Sequence, residues 1–313
     1  MHLTPSSLAR LFLGVDGGQT STTALIGDAS GAILAKGVGG ASNHVKAPEG
    51  RARLSQAVTV AISSAAAQLG RDPGSLDFAA ACLGFTGGID DKEGVLRPLI
   101  RTRHLLITDD VTIALAGAHA DGTGVVTIAG TGSVAMARNP AGQIARAGGW
   151  GYAFGDEGAA WGIVREALRA AFRWKEGWGP PTVLHDAFLQ ETGDSDIHVF
   201  RRRLYTEEFP RPRVAAFSQL VDHAARQGDA VALEILQQAA DALANITDVV
   251  RRAVFTPTET VNAAYVGGVF SSDIVLAQFR RQVESDGYTR LSAPRHNPAM
   301  GALLEAIRLE RAA

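Results

Sequence analysis

Two stretches far apart in the chain repeat one pattern, and that repeat restricts the fold more than any other feature. Leu11–Ile26, LFLGVDGGQTSTTALI, runs from an apolar segment through Asp16 and the glycines Gly17 and Gly18. A cluster of hydroxyls follows, then a second apolar segment. Gly124–Ala137, GVVTIAGTGSVAMA, does the same through Gly130, Thr131, Gly132 and Ser133. Each reads as strand, tight turn, strand. Glycines in such turns bring bare backbone N–H groups close to a ligand, and a hydroxyl such as Thr20 adds a donor. Asp16 could hold a hydrated Mg2+ against phosphate oxygens. Singly, each stretch is also an ordinary hairpin with a glycine turn. Together they imply two related halves facing one another across a cleft.

The segments between them fit a layered α/β chain. Strands at Leu11–Val15, Thr22–Gly27 and Ala32–Val38 precede a helix over Glu49–Gly70, whose Leu54, Val58, Ile62, Ala65 and Leu69 share one face. Ala79–Phe85 is a buried-type strand, Glu93–Arg103 a short helix, His104–Thr108 a strand and Val111–Ala120 a helix, so the first half reads βββαβα. After the second hairpin, GGWGYAFGDE opens a helix from about Glu157 to Arg173. Helices around Thr182–Glu191, Asp196–Tyr205, Val214–Gln227 and Ala230–Phe255 read as an insertion over about 175–255. Val261–Gly267, Ser272–Glu284, Thr289–Ala293 and Met300–Arg311 complete the chain as strand, helix, strand and helix. The expected domains are 1–117, with the C-terminal helix over 298–313 packed back on it, and 118–297.

Bulk properties exclude several classes. The formal net charge of −2 and a pI near 6.5 leave no broad basic surface for nucleic acid. The single cysteine, Cys82, sits in an apolar run and allows no intrachain disulfide, which favours a reducing cytosol. No apolar run approaches the roughly 18 residues of a membrane span. The expectation is a soluble, cytoplasmic protein without a membrane partner.

The ordered motifs GVDGGQTST, Ser42-Asn43-His44, TDD at 108–110, AGTGS, GGWGYAFGDEGAAW and VGGVFSS resemble those of N-acetylglucosamine kinases, the amino-sugar kinase branch of the BadF/BadG/BcrA/BcrD ATPase family. The resemblance runs from about Leu11 to the C-terminal helix. It implies the two-domain actin-like ATPase fold shared by sugar kinases, heat-shock chaperones and actin, built as duplicated βββαβα halves around a central cleft. It also implies ATP and Mg2+ as cofactors, a small-molecule sugar as substrate and a homodimer. Gly17, Gly18, Gln19, Thr20, Thr131, Gly132, Gly267, Gly268 and Ser271 are then expected to meet the nucleotide. Ala215 joins them by local alignment alone. Asn43, His44, Gly132, Ser133, Gly149, Trp150, Gly151 and Asp156 would line the sugar site.

Phosphoryl transfer to an alcohol needs a clamped triphosphate, a metal and a base on the hydroxyl. No GxxxxGK[ST] loop, HRD or DFG element occurs, so the P-loop and protein-kinase solutions are excluded. Asp110 is the expected base, because a carboxylate at a strand's C-terminal end points to where ligands bind in open α/β sheets. Asp109 and Asp110 both stand where helix caps stand, and the family motif selects the second. Asn43 could equally serve a turn, Trp150 the core, and Asp156 or Glu157 a helix cap. Glucosamine or a related sugar is the alternative substrate. An activator-type ATPase needs four thiolates for a shared cluster, and one cysteine per chain gives a dimer two.

Overall fold

The computed structural model describes residues 10–42, 49–87 and 92–313. The chain forms two compact units, one of residues up to Thr123 together with Pro294–Ala313, the other Gly124–Ala293. The sequence alone places these boundaries at 117/118 and 297/298. The shift has a local cause, since His296 and Arg295 donate backbone hydrogen bonds to Gly117 and Ala118 at 2.9 and 3.3 Å, holding that segment to the first unit.

In the first unit, β1 (Leu11–Gly17), β2 (Thr22–Gly27), β3 (Ile33–Gly39), α1 (Gly50–Gln68), β4 (Phe78–Phe85), α2 (Glu93–Leu96), β5 (Thr102–Asp109) and α3 (Asp110–Ala118) follow in order. Its sheet runs β3-β2-β1-β4-β5, with β1, β2 and β3 antiparallel and β1, β4 and β5 parallel. Successive side chains of a strand point to opposite faces. Leu11, Leu13 and Val15 therefore pack with Leu54, Val58 and Ile62 of α1, while Phe12 joins Leu303 and Ile307 from the C-terminal helix. Gly14 makes that second packing possible, because a Cβ there would lie 2.2 Å from the Leu303 nitrogen.

The second unit repeats this plan. It contains β6 (Gly124–Ala129), β7 (Ser133–Arg138), β8 (Ile144–Gly148), α4 (Ala160–Lys175), α5 (Leu184–Thr192), α6 (Ile197–Arg203), α7 (Arg211–Ala216), α8 (Ser218–Arg226), α9 (Ala230–Val254), β9 (Val261–Val266), α10 (Asp273–Val283) and β10 (Thr289–Ser292). The chain then returns to the first unit as α11 (Pro298–Ala312). The sheet order β10-β9-β6-β7-β8 matches the first sheet strand for strand, with the same parallel and antiparallel pairs. β8 lies outside the strands expected from the sequence. The expected helix over Val214–Gln227 is two, α7 and α8, meeting at Phe217. α9, within the expected insertion, packs on β6, β7 and β8. There the buried Thr127 and Thr247 hydroxyls meet at 2.6 Å.

Candidate active site

In the first unit the parallel strands β1, β4 and β5 end side by side, Gly17 opposite Phe85 and Phe85 opposite Asp109. Three side chains collect at those ends. Asp16 stands one residue before the end of β1, Thr86 just after β4, and Asp110 just after β5. The Thr86 hydroxyl donates to Asp110 Oδ2 at 2.9 Å. Asp109 is used differently. Its Oδ1 accepts the Thr112 backbone N–H at 2.9 Å and the Thr112 hydroxyl at 2.6 Å, capping α3. The adjacent carboxylates thus divide into a cap and a strand-end group facing Thr86.

Asp16 is half-buried, and burial, with the negative charge of Asp110 second, pushes its carboxyl up from 3.8 to about 6. Among the described residues no cation pairs with Asp16. Two carboxylates close enough for one to raise the pKa of the other suit a hydrated Mg2+, which takes few protein ligands and keeps waters and phosphate oxygens.

The turn after β1 closes by a hydrogen bond from Gly18 N–H to the Ser21 carbonyl at 2.9 Å, leaving Gln19 half-buried and Thr20 exposed at its tip. Ser42 donates its N–H to Gly18 O at 3.1 Å. Asn43 and His44 lie outside the described residues.

In the second unit the corresponding turn closes by Gly130 N–H to Gly132 O at 2.9 Å. Asp156 comes to it from a loop. Its Oδ1 accepts Ser133 N–H at 3.2 Å, and its Oδ2 pairs with Arg211 Nη2 at 2.6 Å. It is buried, and it adopts a left-handed φ of 60°, which is uncommon for a residue with a side chain. A Cβ on Gly132 would lie 2.9 Å from its carboxylate, so only glycine lets the turn approach it so closely. Asp156 does not cap a helix. α4 starts at Ala160, three residues later than the sequence suggests, with Ala159 at its N-cap and no side-chain cap. Glu157 is no cap either; its carbonyl accepts the Ser133 hydroxyl at 2.7 Å.

Gly149 N–H donates to Ser133 O at 2.8 Å, which anchors the Gly149-Trp150-Gly151 loop beside that turn. The Trp150 side chain is not core, being 80% exposed.

Gly267 is held at φ 114° against the end of β6, where a Cβ would come within 2.3 Å of the Ala129 carbonyl. Gly268 and Ser271 then line a hollow of about 280 Å3 with Ser218, Gln219 and Asp222. Thr131 sits half-buried at the hairpin turn of the same unit. Ala215 does not line this hollow. Val214 and Ala215 turn inward from α7, and Ala215 is 4% exposed in the helical core. Thr86, Arg211, Ser218 and Gln219 are functional candidates that the sequence alone does not single out. Only Thr86 has a visible signal, a hydroxyl directly after a buried strand.

A profile of the BadF/BadG/BcrA/BcrD ATPase family matches residues 13–306. An N-acetylmuramic acid/N-acetylglucosamine kinase of Clostridium acetobutylicum is 27% identical over 305 residues, covering 94% of this chain and 97% of its own. An N-acetyl-D-glucosamine kinase of Dictyostelium discoideum is 27% identical over 313 residues, covering 95% and 98%. The crystal structure of a protein described as an N-acetylglucosamine kinase from Chromobacterium violaceum superimposes with a TM-score of 0.74 at 27% identity, covering 95% of this chain and 98% of that one. The fold is accordingly the two-domain α/β architecture of actin-like sugar kinases.

Proposed function

The chain belongs to the BadF/BadG/BcrA/BcrD ATPase family, and from that premise we propose that it phosphorylates an amino sugar at the 6-hydroxyl with ATP. N-acetylglucosamine is the first choice, after the named activities of its relatives. Glucosamine or a related sugar is the alternative.

The observation that carries this reading is the division of labour at the end of β5. Asp109 is consumed in capping α3, whereas Asp110 shares the strand ends with Thr86 and Asp16. Asp110 would take the proton from the sugar hydroxyl as the bond to phosphorus forms, and Thr86 would orient its carboxylate. General-base catalysis of this kind is worth about 10²–10⁴-fold. Asp156, with Asn43, His44, Ser133 and the Gly149–Gly151 loop around Trp150, would bind the sugar. Carboxylates suit the hydroxyl rim of a sugar and an exposed indole its apolar C–H face. The turns at Gly17–Thr20 and Thr131–Gly132 would offer amides to the phosphates. The hollow at Gly268 and Ser271 would take the adenosine.

Mg2+, held at Asp16 largely through water, would neutralise phosphate charge when the nucleotide is bound. The same reading includes a homodimer and work in the cytoplasm, where ATP is supplied. The activator-type alternative within the family has no ligand set here, since the one cysteine, Cys82, is buried on β4.

An ATP-consumption assay over N-acetylglucosamine, glucosamine, N-acetylmannosamine, N-acetylmuramic acid and glucose tests the proposal. Turnover with an amino sugar supports it. ATP hydrolysis indifferent to every sugar overturns it.

A further inference from the structure

Beside the site described above, and joined to it through the Arg211–Asp156 pair, the second unit contains a groove of about 540 Å3 between one face of α4 and the segment from the end of α6 to α7. Four arginines line it, Arg165, Arg169, Arg201 and Arg211, and no acidic side chain does. Its remaining walls are mostly aromatic and aliphatic. Tyr152 and Trp161 meet edge to face with ring centroids 5.2 Å apart, and the Arg211 guanidinium lies 5.0 Å over the Tyr152 ring.

The arginines are unequally satisfied. Arg165 and Arg169 share Glu166 at 3.2 and 2.8 Å. Arg211 uses Nη2 on Asp156, but its Nε is buried without an acceptor among the described residues. The exposed Arg201 has no side-chain ion pair or hydrogen bond among the described residues.

We propose that this groove is a binding site for a phosphorylated sugar, separate from the site that accepts the unphosphorylated one. Guanidinium forks match phosphate oxygens in pairs, and several of them compensate a dianion that a single lysine would not. Aromatic walls suit the C–H face of a pyranose. The volume falls within the roughly 300–1,000 Å3 usual for small-molecule sites. Arg211, its Nη2 held on Asp156, adds a further positive charge to the wall of the groove. The inference rests on the proposed function only for naming the acceptor site from which this one is distinct.

Calorimetric titration of the full chain with N-acetylglucosamine 6-phosphate, in the presence of saturating N-acetylglucosamine, tests it. One binding event should persist under the amino sugar. Arg201→Gln and Arg169→Gln should each weaken it about tenfold, the scale of one charge-assisted hydrogen bond. Inorganic phosphate alone should bind at least about tenfold more weakly, having no ring for the aromatic wall. The thermal melt of Arg201→Gln should match the parent, because that arginine holds nothing in place.

Displacement of the phosphosugar by N-acetylglucosamine would overturn the proposal, since a single shared site would explain it. Undiminished binding in both variants, or inorganic phosphate binding as tightly as the phosphosugar, would overturn it equally. The titration reads binding without turnover. A protein that binds here yet consumes no ATP with any sugar would refute the kinase reading and leave this one standing.

Discussion

The two hairpins share a topology but not a charge. In the first, β1 carries Asp16 immediately before its glycine turn. In the second, the matching place in VTIAGTG is Ala129, and the carboxylate arrives from a loop as Asp156. Asp16 meets no cation among the described residues and sits beside a second carboxylate, so its pKa rises. Asp156 is met by an arginine and a backbone amide, which offset its charge where it stands. One backbone plan therefore holds two electrostatic environments. In the first, burial and a neighbouring carboxylate disfavour a further negative charge, as suits a metal and a proton acceptor. The second is internally compensated, as suits fixed recognition of neutral hydroxyls.

The largest expected effect lies in the first environment. Asp110→Asn keeps the shape but cannot accept a proton, so kcat should fall by at least about 10²-fold, or roughly 3 kcal/mol of barrier. Asp109→Asn should retain most activity because an amide oxygen still caps α3. Steady-state kinetics of the two variants decide this, and an exchange of phenotypes would assign Asp109 as the base.

Next comes a stability effect of opposite sign to the loss of function. The folded-state pKa of Asp16, about 6, lies above its ordinary 3.8, so the fold favours the protonated form. That contribution is complete below about 3.8 and is lost as pH rises through about 6. Asp16→Asn should therefore stabilise the protein by about 2–3 kcal/mol at pH 7.5 and by little near pH 4, while turnover falls. Denaturant titrations at the two pH values check it, and equal stability of parent and variant at pH 7.5 would contradict the description of this end as hostile to charge.

A smaller effect belongs to the second environment. Asp156→Asn should raise the KM for the sugar about tenfold or more and leave that for ATP nearly unchanged, since a charged hydrogen bond to a hydroxyl is worth about 1.5–3 kcal/mol. Equal changes in both constants would make Asp156 a structural residue. Smallest is Asp109→Ala, which should cost about 1 kcal/mol as the loss of a helix cap. Thermal unfolding measures it.

The hairpins were legible in the sequence because glycine and hydroxyl clusters between apolar runs have few other uses. The β5–α3 junction was legible because paired aspartates punctuate a strand and a helix. β8 was not. Its Ile144 is exposed and its residues alternate weakly, so burial left no periodic trace. The break between α7 and α8 was hidden because Phe217 is buried with Val214 and Val221, three and four residues away, so the helical spacing of apolar residues runs on through it. The Asp156–Arg211 pair joins residues 55 apart, and only tertiary structure brings them together. Ala215, expected at the nucleotide by local alignment alone, stands 4% exposed in the helical core, a placement that local sequence does not reveal.

The most direct test of the central claim is the position of the phosphate in the product formed from ATP and N-acetylglucosamine by the full chain. Phosphorus–proton correlation NMR should couple the new phosphorus to the two protons on carbon 6. Coupling to the anomeric proton, or ATP converted to ADP and free phosphate with the sugar unmodified, would contradict it.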